Sequence, residues 1–145
     1  MTFSILLKFI VVVILVYVAV IDHRHRIIPD KCNAVVFFIG VVNAIYDYKN
    51  IVTYLVSALV VFTFFLILAM VTDGGVGGGD IKLFGVLGLV FGKDIILVLF
   101  FTYMAAIIIS AIGLIFKKLK FSSSVAMGPF VAFGAFVQVI NLLFI

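Results

Sequence analysis

Long apolar runs without charge dominate this chain and leave it few folds. Asn50 to Thr72 is 23 residues with no charged side chain, and Ile95 to Phe116 is a second such run. About 20 apolar residues suffice to carry a helix across a bilayer. Over all 145 residues, 67% are hydrophobic and 11% are charged, with a mean hydropathy of +1.50. A soluble domain carries about 25% charged residues. The balance excludes a soluble globular domain, a disordered chain and a disulfide scaffold. One cysteine, Cys32, allows neither an internal disulfide nor a multi-cysteine zinc site.

Six runs mark six expected spans. Met1 to Ile21 carries one charge, Lys8, and ends at Asp22. No small-residue cleavage site follows it, so it is expected to be a retained helix and not a removed signal peptide. Cys32 to Tyr46 is the second run, and it is short. Asn50 to Thr72 is the third. Ile81 to Gly92 is the fourth, abbreviated and glycine-bearing. Ile95 to Phe116 is the fifth. Phe121 to Ile145 holds the sixth, starting after Ser122–Ser124, with Pro129 near its first turn. None of these runs alternates, so a closed barrel is excluded and the spans are helices. The expectation is an all-α membrane protein over residues 1–145, one domain, with six transmembrane helices of which the second and fourth are short.

The basic residues orient the bundle. Arg24, Arg26 and Lys31 lie in the first gap, Lys82 in the third, and Lys117, Lys118 and Lys120 in the fifth. Seven of the ten basic residues thus fall on one side, which is expected to be cytoplasmic, with both termini outside. They form no stripe on a soluble face, so nucleic acid is not a partner and membrane lipid is.

Asp22 closes the first helix and Asp80 opens the fourth, so both carboxylates are expected at the cytoplasmic boundary. Ionisable groups at the edge of an apolar bundle are costly and mark functional sites. Two carboxylates in close proximity share one proton. One then acts as base on a water while the other, protonated, polarises a carbonyl. That is aspartic peptidase chemistry, although helix capping by Asp80 and a solvated Asp22 would also account for two such residues. Five glycines, Gly74, Gly75, Gly77, Gly78 and Gly79, stand directly before Asp80. Glycine lets another backbone approach, and an extended peptide can pair with such a segment. A phosphate cradle is excluded, because the spacing fails G-x-G-x-x-G, no G-K-[ST] follows, and the segment succeeds a helix and not a strand.

Gly77-Gly78-Gly79-Asp80 fits the G-x-G-D motif of intramembrane-type aspartic peptidases. With Lys82 and Leu83 it resembles the type IV prepilin peptidases. Asp22, with Pro29-Asp30 following, is similar to their first motif. Gly128-Pro129-Phe130 is similar to their last-helix segment. The three motifs fall in family order across essentially the whole chain. The resemblance implies six membrane helices, cleavage of the leader of pilin-like precursors on the cytoplasmic side, and Asp22 and Asp80 as the catalytic pair. The family's long form adds two Cys-x-x-Cys pairs linked to N-methylation. With only Cys32 present, neither methyltransferase activity nor a zinc site is carried over. The chain resembles the short form, the peptidases of tight-adherence pili and the archaeal preflagellin peptidases. Presenilin-like proteases place Tyr-Asp on a neighbouring helix, whereas Tyr46-Asp47 here is expected at the opposite side.

The remaining polar residues carry plainer expectations. Asp73 is read as a solvated loop residue and Asp30 as the cap of the second helix. His23 and His25 with one carboxylate make a poor ligand set, so no metal is expected. Lys82 is read with Gly77, Gly78 and Gly79 as a substrate-side or loop residue, placed to steady an ionised carboxylate or simply to add inside-facing charge. The aromatics need no cofactor, and none is expected. The competing function is a transporter or assembly subunit using the aspartates as an ion or proton path, for which two related halves would be expected and are not visible.

Overall fold

The computed structural model describes residues 2–73, 75–116 and 126–144. They form six α-helices: α1 (Thr2–His25), α2 (Asp30–Tyr46), α3 (Ile51–Val71), α4 (Gly78–Phe91), α5 (Ile95–Ile115) and α6 (Gly128–Phe144). No strand occurs among the described residues. In an apolar solvent every backbone polar group needs an internal partner, and a helix supplies it locally.

Three helical runs are long and apolar enough to cross a membrane: Phe3–His25, Tyr48–Val71 and Gly78–Gly113. The third run is not straight. A short 3-10 turn, Gly92–Asp94, divides it, and Gly92 sits at φ 57°. The rings of Phe84 and Tyr103 lie 6.2 Å apart. In a straight helix those positions would be about 28 Å apart. The chain therefore doubles back at Gly92, and α4 and α5 are separate antiparallel rods.

The helices pack as two connected layers. α6 lies between α1 and α5, and α4 lies between α2 and α3, with α1–α2 and α4–α5 contacts joining the layers. Glycine permits the closest crossings. A Cβ at Gly88 would stand 2.8 Å from the Ala58 backbone, so α3 and α4 touch main chain to main chain there. Phe65, Phe84 and Tyr103 stack near the middle, the first two with centroids 4.4 Å apart. Outward-facing residues such as Leu59, Ile96 and Ile107 are exposed and apolar, which suits lipid contact and not water.

Boundaries differ from the sequence expectation in three places. α4 begins at Gly78 and not Ile81, because Gly77 adopts an extended cap and its carbonyl accepts from the Asp80 and Ile81 N–H groups. Asp30 is not a cap. Pro29 holds that position without a side-chain bond, and Asp30 is the first helical residue. α1 runs on to His25, past the Asp22 that ends its apolar run, whereas α6 begins at Gly128 with Pro129 in its first turn, as the sequence indicates. Ser122–Ser124 and the lysines at 117, 118 and 120 lie outside the described residues.

α2 and α4 run parallel, and four contacts set their register. Ile28 packs where a Gly79 Cβ would sit, and Asp30 pairs with Lys82. Further along, Gly40 faces Leu89 and Val90, and the Asn43 amide donates to the Val90 carbonyl at 3.0 Å.

Candidate active site

Asp22 lies in the last turn of α1 and is 6% exposed, among the few buried charged residues. Burial of a carboxylate is costly unless a donor meets it. Here the donor is the backbone N–H of Gly128, the first residue of α6, which gives a hydrogen bond of 2.7 Å to Asp22 Oδ2. Gly128 is required by distance: a Cβ there would lie 2.9 Å from both Asp22 Cβ and Oδ2. The Gly-Pro-Phe segment thus delivers a helix N-terminus onto the first aspartate, a role that its sequence did not reveal.

Asp80 stands in the first turn of α4 and is half-buried. Ile28, six residues after Asp22, packs at Gly79, the neighbour of Asp80, so the two acids lie at the same end of the bundle although they come from separate helices. Asp80 in turn acts on the phenol of Tyr103, a half-buried α5 residue that sequence reasoning missed. Among the described residues, no hydrogen bond reaches the Asp80 side chain.

The glycines serve three different purposes. A Cβ at Gly77 would lie 3.2 Å from Asp80 Oδ2, so this backbone lies against the carboxyl. A Cβ at Gly79 would press on Ile28 at 3.1 Å, so this glycine lets the α1–α2 connection pack onto α4. A Cβ at Gly78 would meet nothing within 4 Å. A side chain at Gly78 would therefore enter open space. None of these three has a positive φ, so close approach and not left-handed backbone explains them.

The other predicted residues lie apart from the pair. Lys82 is bonded to Asp30 at 2.9 Å, with both side chains exposed, so it clips α4 to α2. Asp73 is exposed and left-handed at φ 49°, at the end of α3. His23 and His25 are exposed, and no cluster able to hold a metal occurs among the described residues. Tyr46 and Asp47 lie at the opposite end of the bundle.

Two comparisons bear on the chain. The protein described as prepilin leader peptidase/N-methyltransferase of Bacillus subtilis (strain 168) is 32% identical over 126 residues, 84% of this chain and 50% of that protein. The chain thus spans about half the length of that relative. No solved structure matches. The family model for the type IV leader peptidase family matches residues 9–115. That stretch contains Asp22, the glycines and Asp80, and with the relative's identity it leads to one conclusion: the chain belongs to the type IV leader peptidase family.

Proposed function

We propose that this chain is a membrane aspartic endopeptidase that removes the basic leader from prepilin-like or preflagellin-like precursors. The single observation that carries the reading is that the end of α1, with Asp22, and the start of α4, with Asp80, lie at one end of an apolar bundle, joined by Ile28 against Gly79. The substrate class comes from the relative's name and the family. Only the peptidase part of that name is carried over, because a carboxylate pair is hydrolytic chemistry.

In this reading six helices cross the bilayer, and the Asp22–Asp80 end faces the cytoplasm. The seven basic residues in or flanking the first, third and fifth sequence gaps support that orientation. The pair holds one proton. The ionised carboxylate takes a proton from water, and the resulting hydroxide attacks the scissile carbonyl carbon. The protonated carboxyl donates to the carbonyl oxygen as negative charge develops there. Collapse of the tetrahedral intermediate breaks the C–N bond, the leaving nitrogen takes a proton from the pair, and the pair again holds one. Gly78 leaves room for an extended backbone beside Asp80.

The test is cleavage of a precursor carrying a basic leader and an apolar helix, in membranes or detergent. Asp22→Asn and Asp80→Asn are each expected to abolish cleavage while the protein still inserts. Full activity in either variant overturns the assignment. Reporter fusions test the orientation: one after Ile145 should read as external and one in the Lys117–Lys120 connection as cytoplasmic. The reverse pattern places the acids outside and removes access to a cytoplasmic leader.

A further inference from the structure

α2 carries two buried asparagines, and their surroundings differ. Asn43 is fully satisfied: its amide donates to the Val90 carbonyl, and its oxygen accepts from the Ser4 hydroxyl at 2.6 Å. Asn33 is 5% exposed, and neither its Nδ2 nor its Oδ1 finds a partner among the described residues. A buried amide without partners destabilises a fold, and native proteins hold few of them. Leucine would fill the same space without that cost. An amide kept there asks for a ligand.

The α2–α4 register locates it. Ile28 lies at Gly79, Asp30 at Lys82, and Gly40 at Leu89 and Val90. Interpolation along two parallel helices puts Asn33 level with Leu83 or Phe84, about one helical turn beyond Asp80, roughly 5 Å along the axis. Helical side chains lean toward their own N-terminus, which brings the amide back toward the Asp80 level. Asn33 also shares the face of Val36, Gly40 and Ala44, all buried, and Gly40 shows that this face meets α4.

We propose that Asn33 is a substrate-binding residue, its amide bonding one N–H and one C=O of the extended leader segment beside the aspartates. This inference rests on the peptidase reading above. Asparagine is suited to the task because it presents a donor and an acceptor together, as a peptide unit does. Pairing of that kind reads backbone and not sequence. It also supplies recognition without charge, where the surrounding connections and the leader are both basic.

The amide is closed off in the free protein, so substrate reaches it by displacing its cover. The adjoining Arg26–Pro29 connection is the element placed to move. Its Pro29 carbonyl accepts from the Asn33 N–H at 3.3 Å, its Arg26 sits at φ 54°, and it is tied to α4 by the Ile28 contact and the exposed Asp30–Lys82 pair. The exposed pair contributes little, so the main cost of opening is withdrawing the buried Ile28 from its contact with α4.

Asn33→Leu tests the proposal in the full chain, with leader cleavage kinetics and thermal unfolding measured on the same preparation. KM is expected to rise roughly tenfold with kcat within about twofold, since bonds present in both the bound and transition states are lost together. Tm is expected to rise by roughly 2–4 °C, because an unpaired amide has been removed. Asn33→Thr, which keeps a donor and an acceptor on a shorter arm, should lie between parent and Leu in KM. Unchanged KM overturns the proposal. So does a lowered Tm or failure to fold for Leu, which would give Asn33 a structural role. Loss of kcat at unchanged KM overturns it as well. The peptidase reading is judged separately: it fails when Asp22→Asn cleaves like the parent, whatever Asn33→Leu does.

Discussion

The two ends of the bundle treat their polar residues in opposite ways. At the end away from Asp22, polar groups satisfy one another. Lys8, buried in α1, pairs with Asp94 at 3.8 Å and stands over the Phe91 ring. The Tyr54 hydroxyl donates to Asp47 at 3.0 Å, Asn50 donates to the same carboxylate, and Ser4 with Asn43 ties α1 and α2 to α4. A cavity of about 350 Å³ lies among these groups. At the other end, Asp22 has one backbone donor, Asp80 has no bond from a described residue, and Asn33 has none. Both ends contain two or more carboxylates within an apolar bundle. Only the second leaves hydrogen-bonding capacity unused, and unused capacity in a low-dielectric setting is where a ligand gains most. The first end is a clamp, and the second is the proposed site.

The largest expected effect separates the two. Asp22→Asn or Asp80→Asn should lower leader cleavage by about a thousandfold or more, as loss of a paired catalytic group does. Thermal unfolding of the Asp80 variant should be little changed. The same conservative change at the clamp, Asp47→Asn, should leave cleavage per folded molecule nearly intact. Comparable loss of activity at both ends would erase the distinction.

Next in size is the glycine pair. Gly79→Val pushes on Ile28 and should lower stability by about 1–3 kcal/mol together with cleavage. Gly78→Val meets nothing in the folded chain, so Tm should hold while cleavage falls by roughly tenfold, as filled substrate space would cause. Equal cleavage by Gly78→Val and the parent would mean that the open space beside Asp80 is not the substrate path.

Lys8→Met probes the clamp from its own side. It removes a buried ammonium from a partly exposed carboxylate, and unfolding measurements should show a loss of about 1–3 kcal/mol, discounted for the Asp94 exposure. Activity per folded molecule should stay within about twofold. The smallest effects belong to exposed charges. Lys82→Ala and Asp30→Asn break a pair open to solvent and should cost under about 1 kcal/mol, with substantial cleavage retained. Asp73→Asn should behave likewise. A large activity loss in Lys82→Ala would restore a direct role near the acids.

Much of the fold was legible because lipid-compatible helices announce themselves by length and by lack of charge. The runs around α3 and α5 match their helices within about one residue, while α1 continues past Asp22 to His25. α4 was harder. Its first two residues are glycines, which propensity assigns to a loop, and only the Gly77 carbonyl's acceptance from Asp80 and Ile81 draws them into the helix. Local preference favours Asp30 as a cap, but Pro29 takes that position and the Asp30 side chain pairs with Lys82 fifty-two residues away.

The sequence by itself determined the class of molecule, the number of helices and the two aspartates worth testing. Those follow from composition, charge spacing and a motif, all of which are local in the chain. Tertiary structure alone decided that the Gly128 N–H meets Asp22, that Lys82 pairs with Asp30, that Gly78 and Gly79 have different neighbours, and that Asn43 is satisfied while Asn33 is not. Each of those depends on the register and face at which separate helices meet. A shift of one residue turns a helical side chain by about 100°, which is enough to exchange a partner for lipid or for open space.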